Sequence, residues 1–441
     1  VAFLKNKKWE IIAMMLIAFF IFWSIYIHYN DVESLTEKDD KKYTGVIKLW
    51  DYPRLNVETG SRYSWIQQKI KSFEKKNPGV YIDFTPLDWE SGPYIINQAI
   101  ESGDKPDIVP ISHDFYNFDK LHPLDEYFTD KELDRFKFET VKSVTNDGSM
   151  MGVPFAITTY TMYLNLDLFN ERGISPPIDG NWTYEEFVES MSGLTFDSDE
   201  DGINDHFGFI SFIEPNYYNL WGIILSDGAN IIDDKSGKFV FKGESAVTGL
   251  QKVVDLKYKY GVTPEYFGII GERECWDMFS KEKKVAVYPT GAWAVKVLRK
   301  LQDEGNGFNF DVANFPIGDV KFPVTLSNGI AAFGVFQDED IKKMEMCVEF
   351  LKYLTEDSTQ RTLEQLGMFT VKKGIDDMYI TEPMMKKIEN TIYYTKVVPR
   401  DSSWKDIDII IQEEVRNAIL GEKTPKSAIL DGVKRVELLT E

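Results

Sequence analysis

From Trp9 to Ile27 the chain reads WEIIAMMLIAFFIFWSIYI, an apolar run interrupted by Glu10 near one end and Ser24 near the other. As a helix rising 1.5 Å per residue, such a run crosses the ~30 Å hydrocarbon core of a bilayer. Lys5, Lys7 and Lys8 precede it, and Trp9, Trp23 and Tyr26 sit near its two ends. The positive-inside bias and the headgroup preference of amphipathic rings predict a transmembrane signal anchor over 9–28, with 1–8 cytoplasmic and the rest extracellular. Ile25-Tyr26-Ile27-His28 offers no small-x-small cleavage site, and no cysteine follows the run for lipid attachment. A cleaved signal peptide of unusual form and a buried core helix are the other readings of this run. Residues 29–43 are polar and aperiodic, and read as a flexible spacer.

Beyond residue 44 short β-runs alternate with helical patterns. Val46, Ile47, Leu49 and Trp50 open the series, and a helical face of Trp65, Ile66, Ile70 and Phe73 is stopped by Asn77-Pro78-Gly79. Val80–Phe84 is a second β-run, Tyr94–Glu101 a helix, and Asp107–Ile111 a third β-run. Later β-runs are Val285–Tyr288 and Phe310–Ala313; helices are expected at Tyr184–Met191, Tyr217–Ser226, Glu244–Tyr260, Glu274–Ser280 and Gly291–Asp303. From Ile341 the pattern is mostly helical: Lys342–Thr355, Thr359–Leu366, Pro383–Asn390, Lys405–Leu420 and Pro425–Leu438. Strand–helix alternation at this spacing predicts an α/β fold on a largely parallel sheet.

The roughly 400 residues beyond the spacer suffice for two domains. A net charge of −21 disfavours nucleic acid, whose phosphates reward basic faces. Two cysteines far apart make neither a disulfide framework nor a zinc site. No Gly-x-Ser-x-Gly elbow, His-Glu-x-x-His, P-loop or dinucleotide fingerprint is present.

A series of short signatures follows in order along the chain. Leu49-Trp50-Asp51-Tyr52, Phe73–Val80, Gly103–Ile108 and Leu121–Phe128 lead to the strongest block: Gly152-Val153-Pro154-Phe155, Tyr163–Phe169, Gly173-Ile174 with Pro176-Pro177, and Trp182–Phe187. Lys284–Trp293, Phe315–Gly318 and Ser327–Ile330 come later. In this order and spacing the chain resembles the extracellular solute-binding proteins of ATP-driven sugar importers, the maltose-binding-protein-like family, from Gly45 to the C-terminus. The resemblance implies a type II periplasmic-binding-protein fold, two lobes with a ligand cleft between them. The crossings are expected near 154–158, 311–316 and 355–360, giving lobe one as 44–155 plus 312–357 and lobe two as 156–311 plus 358–441. It further implies a carbohydrate ligand, ABC permease subunits as partners, a monomer and no catalysis. The missing lipoprotein cysteine departs from that pattern.

A sugar cleft wants aromatic plates for ring faces and polar groups for hydroxyls. Ten Trp and twenty-two Tyr supply the plates. The resemblance favours Trp50, Tyr52, Trp221, Trp293 and Trp404, each at a strand end or helix start matching the family's cleft positions. Asp51, Arg54, His113 and Asp114 are polar candidates near strand ends, although His113 and Asp114 equally suit a capping turn. Tyr217 and Tyr218 lie about one helical turn from Trp221 and could build one wall, or core. In Asp197–Asp205 carboxylates fall at positions 1, 3, 5 and 9 with Gly202 at 6, the spacing of an oxygen-ligand Ca²⁺ loop. Asp197, Asp199, Asp201, the Ile203 carbonyl and Asp205 are the expected ligands; Gly208 stands where an EF-hand carries Glu, and a solvated acidic turn is the other reading. Other functional readings are a sensor feeding a signalling receptor, a receptor for peptide, polyamine or ferric ion (the last from Tyr217-Tyr218), and an extracellular glycoside hydrolase, for which no carboxylate pair stands out.

Overall fold

Alternation of burial sets the first strand of the folded part: in Gly45–Asp51, Ile47, Leu49 and Asp51 turn inward while Val46 and Lys48 face solvent. The computed structural model describes residues 18–23, 42–112, 114–233, 238–398 and 403–440. The chain divides into two units, 1–45 and 46–441. In the first, Ala18–Trp23 is helical with exposed side chains. Among the described residues no helix is long and apolar enough to cross a membrane. Most of the span expected over 9–28, and most of the 29–43 spacer, lie outside them.

The second unit is built on two main sheets. The five-stranded sheet runs in the order Val80–Pro86, Gly45–Asp51, Ile108–Ile111, Ile330–Val335, Val153–Ile157. The four-stranded sheet runs Phe310–Ala313, Tyr160–Asn165, Val285–Gly291, Phe207–Phe209. Each is the floor of one lobe. Neither is the largely parallel sheet expected, because each carries one reversed strand. Ile330–Val335 is antiparallel to both of its neighbours, and so is Tyr160–Asn165. Both are strands that the chain enters after crossing from the other lobe, so they start at the cleft, where their neighbours end. The other pairings are parallel where registered, Leu49 with Ile108 and Phe207 with Val285.

The first crossing passes through Thr158-Thr159. The second is longer than 311–316: after Ala313 the chain forms Thr325–Ser327, pairs it in parallel with Thr395–Val397, and only then enters Ile330–Val335. Residues 362–372, read from sequence as lobe two, bond to lobe one. Trp65 Nε1 donates to Thr362 Oγ1 at 2.9 Å, Phe369 bridges Ile157, and Lys137 N–H donates to the Val371 carbonyl. Gln360 explains the placement: fully buried, it donates to the Phe155 and Leu354 carbonyls and accepts from Thr370 and the Val371 N–H. The chain is back beside lobe two by Pro383–Thr391, where Lys387 pairs with Asp311 at 2.6 Å.

Helices Glu244–Tyr258, Trp404–Ile419 and Pro425–Thr440 pack together on lobe two. Gly249 lets Glu244–Tyr258 sit tightly on the turn at Ile224 as well, since a Cβ there would lie 1.8 Å from the Ile224 carbonyl oxygen. The helix expected at Tyr217–Ser226 shrinks to Trp221–Ile224. Pro215 precedes Asn216, whose φ of 70° is left-handed and incompatible with helix entry.

Candidate functional site

Strand ends from both sheets enclose a cavity of about 580 Å³ at the crossing between the lobes. Lobe one contributes Tyr52 and Arg54 after its first strand and Ser112 and Asp114 after its third; lobe two contributes Tyr160 and the Pro215–Tyr217 turn; Thr158 and Asn328 come from the crossings. Loop backbone at sheet ends leaves polar groups free to face a ligand, a common place for small-molecule sites.

An aromatic plate forms one wall. Trp89 stacks on Tyr52 with ring centroids 4.2 Å apart and planes at 5°. Tyr52 is buried and Trp89 54 % exposed, so the pair presents one free face. Asp88 shapes the turn that carries Trp89, accepting from the backbone N–H groups of Glu90 and Ser91. Gly92 makes the room: a Cβ there would meet the Tyr52 ring at 2.5 Å. Burial and the Asp114 carboxylate hold the Tyr52 hydroxyl well above its ordinary pKa, so it stays protonated.

The polar wall is held from behind. Asp51 is buried and accepts from Arg54 Nη1 at 2.6 Å and from the Tyr52 N–H at 2.9 Å. Burial pushes the Asp51 carboxyl up, and Arg54 opposes it. Arg54 lies 4.9 Å over the Phe155 ring. Among the described residues it is the one cation lining the cavity, and its charge is already matched. Ser112 Oγ donates to Asp114. Opposite, Asn216 donates its N–H to Asp408 Oδ2 at 2.6 Å and accepts from Asn328 Nδ2 at 2.9 Å. The Tyr217 hydroxyl donates to Glu272 at 3.0 Å.

Of the residues expected from sequence, Tyr52, Arg54, Asp114 and Tyr217 line the cavity, with Asp51 behind Arg54. Trp50 is half-buried on the other face of its strand. Trp293 stands outside the lining, 38 % exposed with its ring 5.1 Å from Trp276. Tyr218, Trp221 and Trp404 are corrected from cleft to core: all are buried. Their polar atoms are spent on one another's surroundings. Tyr218 donates to Asp408 at 3.0 Å, Trp404 Nε1 to the Tyr218 hydroxyl at 3.2 Å, and Trp221 Nε1 to Gln412 at 3.2 Å. Buried and hydrogen-bonded to Asp408 and Trp404, Tyr218 cannot join Tyr217 as a surface pair for ferric ion. His113 lies outside the described residues. The sequence reading missed Trp89, Tyr160, Asn216 and Asn328; an Asp-Trp-Glu-Ser-Gly-Pro turn directly after a strand is the signal that could have found the first.

Asp408 lies beneath this wall, 1 % exposed, with its carboxyl pushed up to about 6 by burial. A folded pKa above the unfolded value near 3.9 stabilises the fold fully below pH ~4, and this contribution is lost as pH rises through about 6. Relative to Asp408→Asn, the wild-type chain should therefore gain about 1 kcal/mol between pH 7 and pH 5. Parallel urea melts at the two pH values measure this, and a pH-independent difference would refute it.

In the acidic loop, oxygens of Asp197, Asp199 and Asp201 lie within 4.8 Å of one another. Asp197 Oδ2 accepts from the Gly202 N–H at 2.6 Å, while its buried Oδ1 has no hydrogen-bond partner. The Gly202 bond holds the Asp197 carboxyl below its usual range. Asp205 instead accepts from Ser198 at 2.7 Å and contacts His206 at 3.0 Å, and the Ile203 side chain is exposed. This donor set is hard oxygen, which suits Ca²⁺.

The chain matches the family model of bacterial extracellular solute-binding proteins over residues 56–361. A putative binding protein of Brucella abortus is 22 % identical over 384 residues, 85 % of this chain and 89 % of that protein. The sn-glycerol-3-phosphate-binding periplasmic protein of Yersinia enterocolitica is 24 % identical over 316 residues, 66 % of this chain and 67 % of that one. Among solved structures, maltose-bound MalE3 of T. maritima superposes with a TM-score of 0.70 at 21 % identity, covering 89 % of this chain and 99 % of its own. That likeness is one of fold, the two-lobed α/β architecture.

Proposed function

We infer from one premise, that the chain belongs to the bacterial extracellular solute-binding protein family, a neutral oligosaccharide as the ligand of its cleft. The family binds solutes outside the cell and is not enzymatic. The observation that carries the reading is the Trp89–Tyr52 plate facing Arg54, Asp114, Asn216 and Asn328 across one cavity. A flat apolar face beside convergent hydrogen-bonding groups matches a pyranose ring, with its apolar face and hydroxyl edge. The cavity's one described cation is neutralised by buried Asp51, which favours a neutral ligand over a phosphate such as the Yersinia relative's name specifies. Closure of the lobes over the sugar would create the surface that ABC permease subunits recognise. Calorimetric titration with neutral oligosaccharides and with sn-glycerol 3-phosphate tests the reading; binding of the phosphate alone would overturn it.

The N-terminal run is the tether in this account, keeping a monomeric receptor at the membrane through 9–28. Carbonate-washed membranes should retain the chain, and recovery in the wash would contradict the tether. Asp197, Asp199 and Asp201 would hold a structural Ca²⁺, which would give the orphaned Asp197 Oδ1 its partner. At 100 times its dissociation constant Ca²⁺ should stabilise the fold by about 2.7 kcal/mol. Asp199→Ala with Asp201→Ala should abolish both the calorimetric signal and the shift in melting temperature. A melt unmoved by Ca²⁺ in the wild-type chain would reject the site.

A further inference from the structure

A second cavity, about 570 Å³, lies on lobe one and shares no lining residue with the cleft. Phe73, Phe128 and Tyr353 give it apolar walls, and Lys76, Arg135, Lys352 and Lys372 bring cations to it. Three of these are matched: Arg135 pairs with Asp357 at 2.8 Å, Lys352 with Glu132 at 3.0 Å and Lys76 with Glu356 at 3.4 Å. Lys372 is different. It is 6 % exposed, its ammonium lies 3.9 Å from the Phe136 ring centroid, and among the described residues no acceptor hydrogen-bonds to it. Burial and the neighbouring Arg135 press its pKa down to about 8, so at neutral pH most copies carry the charge. Its three N–H donors open onto the cavity, where a carboxylate oxygen would meet them with opposite charge.

We propose that this cavity is an anion site whose ligand is a carboxylate carried on an apolar body, seated on Lys372 between Arg135 and Lys352. The charge class follows from the lining. Glu132, Asp357, Glu356 and Glu349 all line the cavity, so four carboxylates balance its four cations and the second charge of a dianion would meet repulsion. A single negative charge satisfies Lys372 without displacing the three ion pairs. The aromatic walls then take an aliphatic or aromatic body, which an inorganic ion does not offer.

Calorimetry on the full chain at pH 7, with hexanoate and inorganic phosphate as probes, tests this. Hexanoate should bind one to one, at least tenfold tighter than phosphate. Lys372→Met should weaken hexanoate at least tenfold, whereas Lys372→Arg, which keeps the charge, should retain it; the Arg variant guards against a loss caused by misfolding. Three results would overturn the proposal: no hexanoate binding to the wild-type chain, equal binding to Lys372→Met, or phosphate binding the tighter.

Discussion

Trp221→Ala is expected to cost about 3–5 kcal/mol of folding stability while leaving the sugar affinity of the folded molecules unchanged. Trp221 is fully buried, its ring is 5.2 Å from Phe241, and its indole N–H is spent on Gln412. Removing it opens a cavity in lobe two and leaves the Gln412 oxygen without that donor. Urea melts read the first effect, and titration of the folded variant at low temperature reads the second. Affinity lost with stability intact would return Trp221 to the cleft. Trp221→Phe, which keeps most of the volume, should recover most of the stability.

Trp89→Ala should do the opposite. Its ring is half exposed and touches the cleft rather than the core, so the unliganded chain should lose about 1 kcal/mol or less. Sugar affinity should fall at least tenfold, about 1.4 kcal/mol, because the plate that stacks on the sugar is gone. Trp89→Phe should recover part of that loss. Equal sugar affinity in wild-type and Trp89→Ala chains would remove the aromatic plate from the account.

The two tryptophans show what sequence can and cannot carry. Both sit near turns in aromatic-rich stretches, and no periodicity distinguishes a Trp under the wall from one on it. The difference lies in Asn216: its left-handed backbone delays the helix until Trp221, and the turn drops Tyr218 and Trp221 into the core. Positions immediately after β-runs were better marked, and Tyr52, Arg54 and Asp114 do reach the cavity. The C-terminal helices were legible from their 3.6-residue period, as Trp404–Ile419 and Pro425–Thr440 bear out. Val153–Ile157, by contrast, is buried on both faces, so its strand has no alternation to read. Strand direction was hidden too. It depends on where the chain crosses between lobes, and Gln360, holding 362–372 on lobe one, is a long-range contact that no local pattern announces.

The central claim is that the cleft takes a neutral sugar. Its most direct test is calorimetric titration of wild-type and Trp89→Ala chains against a panel of neutral oligosaccharides, with sn-glycerol 3-phosphate alongside. The account predicts that at least one neutral oligosaccharide binds the wild-type chain one to one, that Trp89→Ala weakens it tenfold or more, and that glycerol phosphate gives no heat. Binding of glycerol phosphate with every neutral sugar silent would contradict it.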